Sequence, residues 1–146
     1  MKTVEGIMTT HVVCAQMDDS LLHIEHLFQS HGFHHLLVEN RGELAGIISD
    51  RDFLRAISPF VGTVIEQQRD QGTFQKRAHQ IMTRDVVTCP RSESISGAAR
   101  KMLEHGISCL PITEDDGTTV VGLITWRDLL RHYLEHNDDT DRLATE

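Results

Sequence analysis

Two short stretches carry residues that could do chemistry together. Ser49-Asp50-Arg51-Asp52 and Thr125-Trp126-Arg127-Asp128 share one pattern: a hydroxyl, two residues, a carboxylate, with an arginine just before the acid. Each follows an apolar run, Gly46-Ile47-Ile48 or Gly122-Leu123-Ile124, and opens a stretch of helical periodicity. A hydroxyl at a helix N-cap with an acid three residues on places both at the helix mouth. Free N–H groups and the positive end of the dipole attract phosphate there. A carboxylate can accept from two vicinal hydroxyls, which is how an acid recognises a ribose. Arg51 and Arg127 add planar forks able to grip phosphate. The plainer alternative is a capping box that stabilises the helix and nothing more. The same set occurring twice, arginine included, favours binding.

The duplication runs through the chain. Ile7-Met8-Thr9 returns as Ile81-Met82-Thr83, Val12-Val13 as Val86-Val87, and His31-Gly32 as His105-Gly106. The second copy carries two extra residues in the Asp115-Asp116-Gly117 turn. Each copy reads strand, helix, strand, strand, helix. In the first, His11–Ala15 is a strand, and Asp18-Asp19-Ser20 supplies the N-cap of a helix. Leu21, Ile24 and Phe28 share one face of that helix, which Gly32 ends as a left-handed cap. His35–Glu39 and Glu43–Ile48 form a hairpin through Asn40-Arg41-Gly42. Ser49 caps a helix over Asp50–Ile57 that Pro59 stops. In the second copy, Val86–Cys89, Cys109–Thr113 and Val120–Ile124 are strands. Ser92 or Ser94 caps a helix presenting Ile95, Ala98 and Met102, Gly106 ends it, and Thr125 caps Trp126–His136. The expected organisation is copy one over 1–57, a linker over 58–77, copy two over 78–136 and an acidic, fraying tail over 137–146. The stretch 66–80 suits a helix interrupted at Gly72. Three strands and two helices cannot cover both faces of a sheet alone, so the copies are expected to pack as a pseudo-twofold pair in one module.

Composition narrows the function. The net charge of −8 argues against duplex nucleic acid as the main partner. No apolar run approaches the roughly 20 residues of a membrane helix. The first residues show no apolar leader, so a cytoplasmic protein without a membrane partner is expected. Cys14, Cys89 and Cys109 form an odd set without a Cys-x-x-Cys pair, and read as small buried apolar residues. His23 and His26 could share a metal, but Glu25 points off their face, and solvent-facing polar residues are the favoured reading. No nucleophile turn, Walker loop or paired carboxylates stand out, so no enzyme is expected and no cofactor is required.

The ordered set resembles a known family. Ile-Met-Thr before Val-Val, a His-Gly helix end, the strand Leu110-Pro111-Ile112 and Gly-apolar-apolar-[Ser/Thr]-x-x-Asp are similar to a tandem pair of CBS (cystathionine β-synthase) domains, a Bateman module. The resemblance covers about residues 4–57 and 78–134. It implies an α/β (α+β) fold of two β-α-β-β-α repeats. It also implies regulatory binding of an adenine nucleotide (AMP, ADP or ATP), or sometimes S-adenosylmethionine, in clefts between the copies.

On that resemblance, one site combines Ser49, Arg51 and Asp52 with Val86, Val87, Ile107, Ser108 and Pro111. The other combines Thr125, Arg127 and Asp128 with Val12, Val13, Phe33, His34 and His35. The acids would hold ribose, and the hydroxyls would assist phosphate. Protonated His34 or His35 could donate to phosphate at the second site, whereas Ser108-Cys109 brings no charge to the first. Leu37 stands where the second copy has Pro111. Unequal binding is therefore expected. Trp126 is expected to pack on a surface or at a dimer contact. Phe53, Leu54 and Ile57 with Leu129, Leu130 and Tyr133 suggest a homodimer, and a separate protein target could read the signal. The alternatives are a dimeric scaffold with vestigial clefts and a histidine-dependent metal binder.

Overall fold

A computed structural model describes residues 2–32, 34–57 and 67–144. The chain forms two compact units, Val13–Val86 and Met1–Val12 with Val87–Glu146. The chain leaves one unit for the other between Val12 and Val13, and again between Val86 and Val87.

In the contiguous unit, β1 (Cys14–Gln16) runs parallel to β2 (His35–Asn40), which pairs antiparallel with β3 (Glu43–Ser49). Helix α1 (Leu21–His31) connects β1 to β2, and α2 (Asp50–Ala56) follows β3. Local chemistry sets the ends of α1. Ser20 Oγ accepts from the His23 N–H, and Gly32 closes the helix at φ 69°, which a side chain would disfavour. Leu21 and Ile24 from α1 join Ala15, Leu36, Val38, Ile48 and Phe53 in the core.

The other unit repeats the scheme. Here β4 (Cys89–Pro90), β5 (Cys109–Thr113) and β6 (Val120–Thr125) form the sheet, with α5 (Ile95–His105) and α6 (Trp126–Ala144) as its helices. Ser94, not Ser92, caps α5, accepting from the Gly97 N–H at 3.0 Å. Ile95, Ala98 and Met102 are buried with Leu110, Ile112 and Ile124.

Each sheet is extended by a segment that precedes the other copy in sequence. Thr9 bridges Leu123 beside β6, with both backbone hydrogen bonds at 2.9 Å. Thr83 bridges Ile47 beside β3 in the same way, at 2.9 and 3.0 Å. The methionine of each Ile-Met-Thr lies against the glycine of that third strand. A Cβ on Gly46 would fall 2.5 Å from Met82 Sδ, and one on Gly122 would fall 2.5 Å from Met8 Sδ. The segments also feed the cores: Val4 is fully buried in one, and Ala78 and Met82 are buried in the other. Between α2 and the second of these segments lie α3 (Gln68–Gln71), a 3-10 turn over Gly72–Gln75 and α4 (Ala78–Ile81).

Several expected boundaries shift. The strands expected over His11–Ala15 and Val86–Cys89 are Cys14–Gln16 and Cys89–Pro90. Pairing with β2 starts only at Cys14↔Leu37, and with β5 at Cys89↔Ile112, so the preceding valines stay outside the ladders where the chain changes units. Helix α2 stops at Ala56, and Ile57 is its cap; Pro59 lies outside the described residues. So does linker segment 58–66, and the helix expected over 66–80 is instead α3, a 3-10 turn and α4. The tail expected to fray from Asn137 continues α6 through Ala144. Neither glycine nor proline occurs between Trp126 and Ala144, so nothing in the backbone breaks the helix.

Candidate functional site

The two hydroxyl-x-x-carboxylate motifs stand at the starts of α2 and α6, one in each unit. At the first, Ser49 and Asp52 form a complete capping box. Ser49 Oγ accepts from the Asp52 N–H at 3.0 Å, and Asp52 Oδ2 accepts from the Ser49 N–H at 3.0 Å. At the second, Asp128 Oδ2 accepts from the Thr125 N–H at 2.9 Å. Here the Thr125 hydroxyl donates to the same carboxylate oxygen at 3.3 Å, whereas the Ser49 hydroxyl accepts. The plain capping role is thus real at the first motif. Yet each carboxylate spends only Oδ2 on its cap. Among the described residues Asp52 Oδ1 accepts no hydrogen bond, and Asp128 Oδ1 faces only Arg131, at 3.8 Å. A carboxylate locked through one oxygen and open at the other is preset to accept from a ligand hydroxyl.

The entry to each middle strand stands beside the motif of its own copy. The Asp50 N–H donates to the His34 carbonyl at 2.9 Å, and the Trp126 N–H donates to the Ser108 carbonyl at 3.2 Å. His35 pairs with Ser49 in the ladder, and Cys109 pairs with Thr125. The surroundings then differ. His34 Nδ1 lies 2.9 Å from Asp50 Oδ2, a contact that holds the Asp50 carboxyl below its ordinary range. Burial pushes the neighbouring His35 imidazole down, so it favours the neutral form. Next to α6, the Arg127 guanidinium lies 5.8 Å from the centre of the half-exposed Trp126 ring.

The remaining expected residues divide between the units. Val13, His34, His35, Ser49, Arg51, Asp52 and Val86 belong to the contiguous unit. Val12, Val87, Ile107, Ser108, Pro111, Thr125, Arg127 and Asp128 belong to the other. Each expected set of residues therefore has members in both units. Arg51, Arg127, His34 and Ser108 are exposed, the four valines and Ile107 are half-buried, and Pro111 is fully buried in β5. Phe33 lies outside the described residues. The His34–Asp50 contact was missed from the sequence, although an acid at the first helical position was the signal for it.

The thiols are held protonated. Burial pushes Cys14 and Cys109 up to about 12 and Cys89 up to about 11. Among the described residues no cluster of three or more His, Cys, Asp or Glu is arranged to hold a metal, and His23 faces Asp19 at 3.8 Å. No helix there is long and apolar enough to cross a membrane.

Comparison with known proteins places this architecture. The CBS domain family profile matches residues 4–59 and 78–135. Over 124 residues the chain is 35% identical to a homoserine O-acetyltransferase of Methanocorpusculum labreanum, covering 84% of this chain and 22% of that protein. The chain spans about a fifth to a half of the length of the curated relatives it matches. The CBS domain pair of protein MJ0100, solved with 5′-methylthioadenosine and S-adenosyl-L-methionine, is 26% identical with a TM-score of 0.76, covering 93% of this chain and 98% of that one. The CBS domain of a CBS-domain-containing membrane protein from Sphaerobacter thermophilus is 32% identical with a TM-score of 0.75, covering 88% and 86%. The chain belongs to the CBS domain family and carries two of its domains in tandem.

Proposed function

We propose that this CBS pair is a ligand-sensing module that binds an adenosine-containing molecule, an adenine nucleotide (AMP, ADP or ATP) or S-adenosylmethionine. One observation carries the reading. Asp52 and Asp128, in equivalent positions, are each locked by a backbone N–H through one oxygen and keep the other for a ribose. The adenosine compounds bound by the MJ0100 pair support the ligand class. The residue sets read from the sequence are proposed unchanged as the two sites, and ligand binding alters packing that a partner reads.

Calorimetric titration with AMP, ADP, ATP and S-adenosylmethionine tests this, on the native chain and on Asp52→Asn and Asp128→Asn. Saturable binding of one of them, abolished by one substitution, is the expected result, and the sensitive variant names the dominant site. Binding indifferent to both substitutions would remove the acids from the site.

A homodimer has its own support. Trp126, Leu130, Tyr133 and Leu134 leave an exposed apolar stripe on α6, 40–62% accessible. If none of the four ligands binds while light scattering shows a dimer, the module is a scaffold.

A further inference from the structure

Two imidazoles stand one turn apart on α6, away from its first turn. The rings of His132 and His136 lie with centroids 4.1 Å apart and planes tilted by 42°. His136 Nδ1 is 2.9 Å from the His132 carbonyl oxygen. A carbonyl only accepts, so Nδ1 carries the proton and donates. This fixes the tautomer, leaving the lone pair on Nε2. Nε2 in turn meets the ammonium of Lys2, which can only donate. His136 is therefore oriented from behind by a backbone carbonyl and turned in front towards a cation. Metal-bound histidines are held in this way, their second N–H given to a carbonyl or carboxylate.

We propose that His132 and His136 form a two-imidazole chelate for a divalent transition metal, Cu²⁺, Ni²⁺ or Zn²⁺, which displaces the Lys2 ammonium. Imidazole suits these ions, whereas Ca²⁺ and Mg²⁺ require oxygen ligands. Among the described residues no group of three or more ligating side chains is arranged to hold a metal, so the two imidazoles are the ligands proposed. Affinity then follows the order of intrinsic metal strength, with Cu²⁺ ahead of Ni²⁺ and Zn²⁺.

The test is titration of the full chain with CuCl₂, NiCl₂ and ZnCl₂ by calorimetry, repeated on His132→Ala, His136→Ala, Lys2→Ala and the control His23→Ala/His26→Ala. One equivalent per chain is expected. Losing an orienting partner alone weakens a metal site about 10–100-fold, so loss of either ring should cost about tenfold or more. Lys2→Ala should tighten binding, and the control should leave it unchanged. Binding that survives both single-ring variants, or no heat with any of the three metals, overturns the proposal. Unchanged far-ultraviolet circular dichroism shows that each variant is folded.

Discussion

Gly46 and Gly122 are small because a methionine and a backbone carbonyl occupy the place of a side chain. A Cβ on Gly46 would lie 2.8 Å from Met82 Cγ and 2.9 Å from the Thr83 carbonyl oxygen, as well as against the sulfur. The thioether can swing aside, but the carbonyl belongs to a bridge and cannot. Gly46→Ala should therefore destabilise by about 1–3 kcal/mol, the usual cost of overpacking. Chemical denaturation reads this directly, and an unchanged midpoint would refute the close approach. Also at this scale, His35 has a folded-state pKa below its ordinary value of about 6.5. The unfolded chain then binds the proton first as pH falls. The stability contributed by neutral His35 is complete above about 6.5 and is lost below it, down through the folded-state value. The gap in thermal midpoint between the native chain and His35→Cys, the residue at the matching place in the second copy, should narrow between pH 7 and pH 5. A pH-independent gap would mean that burial of this ring does not govern its titration.

At the scale of elements, the bridging segments are the least expected part of the fold. Thr9 gives Leu123 a donor and an acceptor, both at 2.9 Å. Thr9→Pro removes that donor, and β6 loses a partner on its open side. Hydrogen exchange should then speed up at Leu123 and its β6 neighbours, while β3 amides, in the other unit, keep their protection. Equal acceleration in both sheets would show that the segment does not act locally. Nothing in the sequence marks this assignment, because Ile-Met-Thr is identical in both copies and does not say which sheet it joins. The helices were legible because their signals are local: Ser20, Ser94, Gly32 and Gly106 each sit within one turn of what they cap. Strands β1 and β4 were legible only as runs, since their true length is set by partners far along the chain. The acidity of the tail is legible in the sequence, and so is the absence of a helix breaker that lets α6 run on to Ala144. The motif acids were legible as types at a spacing; which of their oxygens the cap consumes depends on rotamers that no sequence displays.

At the scale of the molecule, the compact units and the sequence copies are cut at different places. Chains 1–77 and 78–146, produced separately, should each lack the segment that extends its own sheet and carry the one that extends the other's. Mixed, they should recover native circular dichroism and a cooperative melt; alone, each should melt at lower temperature. Two halves that fold independently to full stability would show that the bridges are dispensable.

Those bridges also bear on ancestry. An ancestral gene encoding one copy would have made a chain whose leading segment could extend a sheet only by reaching into a second molecule. Obligate pairing would then have preceded gene duplication, and fusion of the copies would have turned a mutual loan between strangers into an internal one.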